Sequence, residues 1–190
     1  NAGFALGGAA EEIPLDEWKR QFDTNFFGLV AMTQAVLPLM RTQKSGKIVN
    51  IGSISGRIGF PGYSPYAASK FAVEGFSESL RLELLPFGIH VVLVEPGAYK
   101  TSIWQKGFDT IQVKPGSPYE QMMQKILTIS RQTAESAAPP AEVVDVIVKA
   151  VTSSAPTLRY PIGKGTRLSI MGKALLPWKW LERAVRRVLN

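Results

Sequence analysis

Two residues that can exchange a proton lie one helical turn apart in the first half of the chain. Tyr66 and Lys70 are four residues apart in a segment rich in Ala, Leu, Glu and Ser, so their side chains share one face of a helix. A phenol has an ordinary pKa of about 10, and an ammonium held close to it favours the phenolate and lowers that pKa. The pair therefore predicts a general acid/base that needs no histidine.

A serine and an asparagine extend this pair. Ser53 follows a short apolar run, thirteen residues before Tyr66, and the loop between them can fold its hydroxyl beside the phenol to bind a substrate oxygen. In a chain of this composition, Ser, Tyr and Lys at these spacings occur by chance about 0.02 times, so the combination is specific. Asn25 by itself fits a helix-kinking or capping residue as well as a catalytic one.

The elements that must position these residues alternate between strands and helices, which predicts a doubly wound parallel sheet. Apolar runs predict buried strands over 47–51 and 90–95 and an edge strand over 158–162, where Pro161 is tolerated. Residues 98–140 are expected to be loop and helix. Helical periodicity predicts helices over 15–42, with bends near Asn25 and Pro38, and over 66–85 and 141–152.

The composition narrows the function classes. A chain of 190 residues with 45% hydrophobic and 19% charged residues is expected to fold around one globular core. The sequence shows no long apolar span and no basic signal-peptide start, which predicts a cytoplasmic protein. Zero Cys and the single histidine, His90, argue against disulfides, metal clusters and a Ser-His-Asp triad, so no metal site is predicted.

The net charge of +7 is confined to the last part of the chain. Residues 1–158 are balanced, whereas residues 159–190 carry eight basic side chains and one acidic one. Because no basic stripe is spread over the main part of the chain, nucleic-acid binding is not expected. A helix opening at Pro177 would place Trp178 and Val188 on an apolar face opposite a basic one, which predicts peripheral membrane contact through residues 175–190. Packing of that apolar face on the protein's own core or across a homodimer stays an alternative.

These residues resemble the classical short-chain dehydrogenases/reductases. The matching segments are Asn1-Ala2-Gly3, Asn25 within Asp23–Gly28, Ile51-Gly52-Ser53, Tyr66 to Lys70, and Pro96-Gly97 with Thr101. The resemblance implies a Rossmann-type α/β fold, with residues 1–163 as the C-terminal portion of the domain and residues 164–190 as a basic amphipathic tail. It also implies an NAD(P)-dependent oxidoreductase.

The same resemblance assigns roles. It implies that Tyr66 moves the hydroxyl proton, that Lys70 lowers the pKa of Tyr66 and holds the nicotinamide ribose, that Ser53 orients the substrate oxygen, and that Asn25 anchors a water. The cofactor would be NAD or NADP, with NADP favoured. Its implied binding residues are Asn1, Ala2, Gly3, Tyr66, Lys70, Pro96, Gly97 and Thr101.

One departure from the family pattern is large. The glycine-rich turn that holds the cofactor pyrophosphate is not found in these residues, so the chain is expected to be the C-terminal portion of a longer protein. The expected activity is that of a carbonyl reductase or alcohol dehydrogenase, acting as a homo-oligomer on an apolar small molecule. Apolar residues in 98–140 would line the substrate site or simply pack. The alternative is a non-catalytic binding protein of the same fold that acts through its basic tail.

Overall fold

A parallel sheet forms the centre of the protein. The computed structural model describes residues 2–111 and 113–189. Within that part of the chain, β1 (Gly46–Ile51) pairs in parallel with β2 (Ile89–Pro96), and β2 pairs in parallel with β3 (Arg159–Ile162). The three predicted strands agree with the observed ones to within one residue at each end. The strand order β1-β2-β3 leaves β3 at an edge, as its proline predicted.

The helices surround this sheet. The predicted helix 15–42 is α1 (Leu15–Phe22) and α2 (Gly28–Gln43), joined by a π-helical turn over Asp23–Phe27 at the expected bend. Short 3₁₀ turns cover Ile54–Gly56 and Leu85–Phe87. The remaining helices are α3 (Ser64–Leu84), α4 (Ile103–Thr110), α5 (Glu120–Ser136), α6 (Ala141–Thr152), α7 (Thr166–Leu175) and α8 (Trp178–Leu189).

Both faces of the sheet are covered. On one face, Ile48, Ile89 and Val91 pack against Leu80 and Leu84 of α3, with apolar side chains of α2 at the margin. On the other face, valines of β2 pack against Ala150 of α6. Val91, Val92, Leu93 and Val94 have no exposed surface, as expected of a central parallel strand. Parallel strands with α3 on one face and α6 on the other confirm the doubly wound arrangement.

A tight approach between two helix ends aligns the sheet. After α3 the chain turns through Gly88, whose φ of 67° lies in the left-handed region. A Cβ atom at Gly88 would lie 2.9 Å from the carbonyl oxygen of Lys44, at the end of α2. Only glycine satisfies both constraints without strain. This contact places Gly46 beside Ile89, where the pairing of β1 and β2 begins.

The basic tail touches the rest of the protein at a few points. Thr166, at the start of α7, is buried, and Lys173 of α7 donates a hydrogen bond to the carbonyl oxygen of Arg57. At the end of α8, Leu189 packs on α5 and its carbonyl oxygen accepts a hydrogen bond from Lys125. The division at residue 163 stays a prediction. Within the described ranges, no helix is both long enough and apolar enough to cross a membrane.

Candidate active site

The polar residues singled out by sequence gather where the parallel strands end. Gly52 and Ser53 follow β1, and Gly97 follows β2, so both segments lie at the carboxyl edge of the sheet. This edge is where open α/β sheets bind ligands. Ser53 is buried, and its Oγ accepts a hydrogen bond of 3.1 Å from the backbone N–H of Ser55, which caps the 3₁₀ turn. The serine is therefore fixed in place by its own loop.

Tyr66 lies in the first turn of α3, where Pro65 starts the helix. The Ser53 side chain is close enough to the Tyr66 phenol to lower the Tyr66 pKa. Desolvation acts in the opposite direction and is the larger effect, so the pKa of Tyr66 is raised above its ordinary value. The structure thus joins the serine and the tyrosine, as the sequence predicted.

Lys70 follows one turn later on α3 and is also buried. Its Nζ donates a 2.8 Å hydrogen bond to the carbonyl oxygen of Ile51 and lies 5.9 Å from the centre of the Tyr66 ring. Burial lowers the Lys70 pKa to about 8, against an opposing effect of the Glu74 charge. The expected lowering of the Tyr66 pKa by Lys70 is therefore not observed. Desolvation of the phenol dominates, and the ammonium is held on a backbone carbonyl.

Asn25 is buried in the π-helical turn and holds the segment near the start of the chain. Its Oδ1 accepts from the N–H of Phe4 at 3.1 Å, and its Nδ2 donates to the Phe4 carbonyl at 3.0 Å and to Ser69 Oγ at 3.1 Å. Ser69 in turn donates to the carbonyl oxygen of Tyr66 at 2.8 Å. Asn25 thus connects Phe4 to the first turn of α3, and its role in anchoring a water stays a prediction.

Gln21 assists Asn25 and was missed by sequence reasoning. It has no exposed surface, accepts from the N–H of Leu6 at 2.8 Å, and donates to the carbonyl oxygen of Phe4 at 2.9 Å. The available signal was its position, four residues before Asn25, which places two amide side chains on one side of the same helical segment.

Apart from Tyr66 and Lys70 of α3, the expected cofactor residues are spread over three segments. Asn1 lies outside the described residues. Ala2 is exposed, and a Cβ atom at Gly3 would lie 3.2 Å from Asn25 Oδ1, so the first segment runs close against the π-helical turn.

The other two segments follow β2. Pro96 ends that strand beside Ile162, and Gly97 donates from its N–H to the Ile162 carbonyl at 2.8 Å. A Cβ atom at Gly97 would meet Thr166 Oγ1 at 2.7 Å. Thr101 is exposed just before α4. The structure therefore explains the glycine at 97 by close packing, and cofactor contact by any of these residues stays a prediction.

The apolar residues of 98–140 divide into two groups. Trp104 and Phe108 of α4, with ring centres 6.1 Å apart, line an open groove of about 570 Å³ next to Thr101. The others belong to a packed cluster between α5, Ala9 and Tyr63: Ile111, Tyr119, Met122, Met123 and Ile126. Packing thus accounts for most of this set, and the groove is left to the two aromatic side chains.

Comparison with known proteins assigns the family. Residues 1–112 match the family model described as short chain dehydrogenase. This match covers more than half of the chain and includes Asn25, Ser53, Tyr66 and Lys70. The chain belongs to the short chain dehydrogenase family, a family of oxidoreductase enzymes.

Relatives and solved structures agree with this assignment. An uncharacterized oxidoreductase of Bacillus subtilis, YusZ, is 46% identical over 100% of the chain, which covers 69% of that relative. A 3-ketodihydrosphingosine reductase of Bacteroides thetaiotaomicron is 38% identical over 98% of the chain, which covers 70% of its length.

Among solved structures, a short-chain dehydrogenase from Streptomyces avermitilis is 33% identical, with a TM-score of 0.75 over 97% of this chain and 68% of its own. The closed form of serine dehydrogenase complexed with NADP⁺ is 28% identical, with a TM-score of 0.71 over 85% of this chain and 62% of its own. These likenesses establish the Rossmann-type fold of the chain.

Proposed function

We propose that this chain forms the catalytic part of an NAD(P)-dependent oxidoreductase that interconverts a carbonyl group and a primary or secondary alcohol. The observation that carries the proposal is the placement of the buried Ser53 at the carboxyl edge of the sheet, where its side chain is close enough to the Tyr66 phenol to lower the Tyr66 pKa, with Lys70 Nζ 5.9 Å from the Tyr66 ring. A hydroxyl donor and a phenol that converge on one point can both bind a substrate oxygen. This arrangement argues against the non-catalytic alternative.

The residues present fit the nicotinamide-ribose end of the cofactor. An ammonium has three donors, and in the described structure Lys70 uses one of them on the Ile51 carbonyl. The other two are available to ribose hydroxyls at the edge where such ligands bind. NAD or NADP, when bound, supplies or accepts the hydride. The serine dehydrogenase complex with NADP⁺ supports this choice of cofactor class.

Within such a site the chain's own residues handle the proton. Ser53 orients the substrate oxygen, and Tyr66 donates its hydroxyl proton as a carbonyl becomes an alcohol, or accepts one in the reverse direction. The raised pKa of Tyr66 keeps the phenol protonated at neutral pH, which suits the reductive direction. Asn25 and Gln21 keep the Phe4 segment against α3, so the wall of the cleft is rigid.

We propose that the apolar part of the substrate lies in the groove beside Thr101. Trp104 and Phe108 present aromatic surface there, while Lys100 and Arg131 add cationic groups at its margin. We propose a long-chain ketone or alcohol, a retinoid or a steroid as the substrate class. The relative named 3-ketodihydrosphingosine reductase supports a ketone with a long apolar tail.

The test uses the full-length enzyme and a matched pair of variants. Tyr66→Phe should abolish reduction of apolar ketones, followed by NADPH absorbance, while cofactor binding, followed by fluorescence, stays nearly unchanged. Tyr63→Phe is the control, because Tyr63 is a neighbouring half-buried phenol whose hydroxyl is bound to Ser130 at 2.9 Å. It should keep its turnover. A Tyr66→Phe enzyme that retains more than about a tenth of wild-type turnover would contradict the assignment.

We also propose that α8 attaches the protein to an anionic membrane surface, so that a cytoplasmic enzyme works next to its apolar substrate. Trp178, Trp180 and Val188 are 61%, 59% and 58% exposed, and α8 buries none of its residues. The opposite face carries Lys179, Arg183, Arg186 and Arg187. Exposed tryptophans beside a cationic face suit the plane of a lipid headgroup layer.

Co-sedimentation with liposomes tests this attachment. The full-length protein should sediment with anionic vesicles at low salt and dissociate from them at high salt. It should not sediment with neutral vesicles. Trp178→Ser with Trp180→Ser should abolish binding without loss of activity toward a soluble substrate. A protein that stays in the supernatant with every vesicle would rule the attachment out.

Formation of a homo-oligomer, which the sequence predicts, stays a prediction.

A further inference from the structure

Two buried carboxyl groups lie together beneath the active site. Glu74 of α3 and Glu95 of β2 are 5% and 0% exposed, and both carboxyl groups lie against the same nitrogen, Arg159 Nε, at 3.2 Å and 3.7 Å. Glu74 Oε1 and Glu95 Oε2 receive no hydrogen bond from any donor in the described structure. Two ionised carboxylates cannot hydrogen-bond to each other, because both are only acceptors. A proton on one of the two groups supplies the donor that the pair needs.

The other oxygen of each carboxyl group is already held by an arginine. Arg57 Nη1 lies 3.1 Å from Glu95 Oε1. Arg159 Nε lies 3.2 Å from Glu74 Oε2 and 3.7 Å from Glu95 Oε1. The unpartnered oxygens are therefore the ones left over after the arginines have bound.

The carboxyl and guanidinium groups of this cluster, counted without Lys70, balance when one proton is bound. Arg159 also pairs with Glu78, which is exposed on the next turn of α3. Three carboxyl groups thus share two guanidinium groups, and an ionised set carries one excess negative charge in a largely buried place. One proton on the Glu74–Glu95 pair removes that excess. Consistently, burial and the neighbouring Glu95 charge raise the pKa of Glu74.

The pair lies one helical turn from Lys70. A Cβ atom at Gly52 would lie 3.1 Å from Glu74 Oε1, so this carboxyl group contacts the backbone between Ile51, which binds Lys70, and Ser53. The charge of Glu74 raises the Lys70 pKa, and burial lowers it. Lys173 of α7 is a further cation beside this cluster, and it donates a hydrogen bond to the carbonyl oxygen of Arg57.

We propose that Glu74 and Glu95 share one buried proton and that this carboxyl pair is a positioning element that sets the charge of Lys70. The singly protonated pair keeps one negative charge, which is bound by Arg57 and Arg159, and loss of the proton adds a second carboxylate one turn from the Lys70 ammonium. The pair itself stands on the structure alone, whereas its effect on catalysis rests on the proposed function. No new bond is made, and the proton exchanges with solvent.

Two measurements detect the proton without an activity assay. The infrared spectrum of the full-length protein at neutral pH should contain the band of a protonated carboxyl group, and Glu74→Gln and Glu95→Gln should each remove it. Urea unfolding from pH 5 to 8 gives the second readout. The native state holds one proton more than the unfolded chain there, so this pair raises the unfolding equilibrium constant up to tenfold per pH unit. Glu74→Gln should remove that contribution.

Glu78→Gln is the matched control, because it also binds Arg159 but is exposed. It should keep both the infrared band and the pH dependence. The effect on Lys70 is read by NMR of ¹³Cε-labelled lysine, with the Lys70 signal assigned by its absence in Lys70→Met. Lys70 should titrate at lower pH in Glu74→Gln than in wild type, because the carboxylate that favours its ammonium form is gone.

The outcomes separate the claims. A wild-type protein without the infrared band, or a Glu74→Gln protein that keeps it, overturns the shared proton. A lost band with an unchanged Lys70 titration overturns the link to Lys70. An intact band and a shifted Lys70 titration support the inference even if Tyr66→Phe were to retain turnover, in which case the proposed function alone would fail.

Discussion

Replacement of Asn25 by alanine should lower the free energy of unfolding more than replacement of Asn50, an equally buried asparagine, by alanine. The change removes three hydrogen bonds, two to Phe4 and one to Ser69. In the variant, the carbonyl oxygen of Phe4 still accepts a hydrogen bond from Gln21. The backbone N–H of Phe4, however, loses its acceptor, Asn25 Oδ1. At about 1 kcal/mol net for each hydrogen bond, the expected loss is about 3 kcal/mol of the free energy of unfolding.

Asn50→Ala is the internal reference for this number. Asn50 is buried to the same degree, at 4% exposed against 3% for Asn25, and makes one side-chain hydrogen bond, of 2.8 Å, to Ser77. Both substitutions remove the same atoms from a buried place, so their cavity contributions largely cancel. Asn50→Ala should lose about 1 kcal/mol, which leaves a gap of about 2 kcal/mol between the variants.

Urea unfolding of the two full-length variants at one pH measures the gap. Titration with NADPH adds a second readout, because the segment before Phe4 is the proposed wall of the cofactor cleft and should move only in Asn25→Ala. Cofactor affinity should therefore fall in that variant and stay unchanged in Asn50→Ala. Equal losses of stability would refute the reasoning, since they would mean that the contacts to Phe4 contribute nothing beyond an ordinary buried amide.

Three further predictions follow from the same geometry. Ser53→Ala should slow reduction by about 10², and because the Ser53 side chain lowers the Tyr66 pKa, the pH profile of alcohol oxidation should move to higher pH. Lys70→Met should flatten the stability-pH curve above pH 8. Its native pKa of about 8 lies below the unfolded value, so wild-type stability, followed by thermal unfolding, should rise from about pH 8 to 10.5. Gly97→Val should destabilise the protein by about 1–3 kcal/mol in urea unfolding, since its Cβ would meet Thr166 Oγ1 at 2.7 Å, and Thr166→Ala should restore part of that loss.

The fold was predictable wherever a local pattern and the tertiary structure required the same thing. The apolar run ending at Ile51 is bounded by glycines and is a buried strand, and the valine periodicity of 141–152 gives α6 at those residues. The π-helical turn was visible only as a bend near Asn25, because an extra residue per turn leaves little trace in apolar spacing. The types and spacings of Ser53, Tyr66 and Lys70 were enough to place them together.

The buried ionic residues were not predictable in the same way. A charged side chain in a sequence is expected to be solvated. Only the pairing of Glu74 with Arg159 in the folded protein offsets the desolvation free energy of the buried carboxyl group. Glu95 did carry a signal, because it interrupts an otherwise apolar strand. The direction of the Tyr66 pKa could not be predicted either, since it depends on how completely the folded chain removes water from the phenol.

The edge strand β3 has a consequence for solubility. It has four residues, and Pro161 within it has no N–H to offer a neighbouring chain. Its Arg159 carries a cation that is anchored to glutamates of α3, so another strand that approached this edge would have to displace an ion pair. Short length, a missing donor and a fixed charge are the features by which natural sheets discourage intermolecular strand addition. The side of the sheet formed by β3 is thus protected from the kind of edge-to-edge pairing that begins amyloid growth.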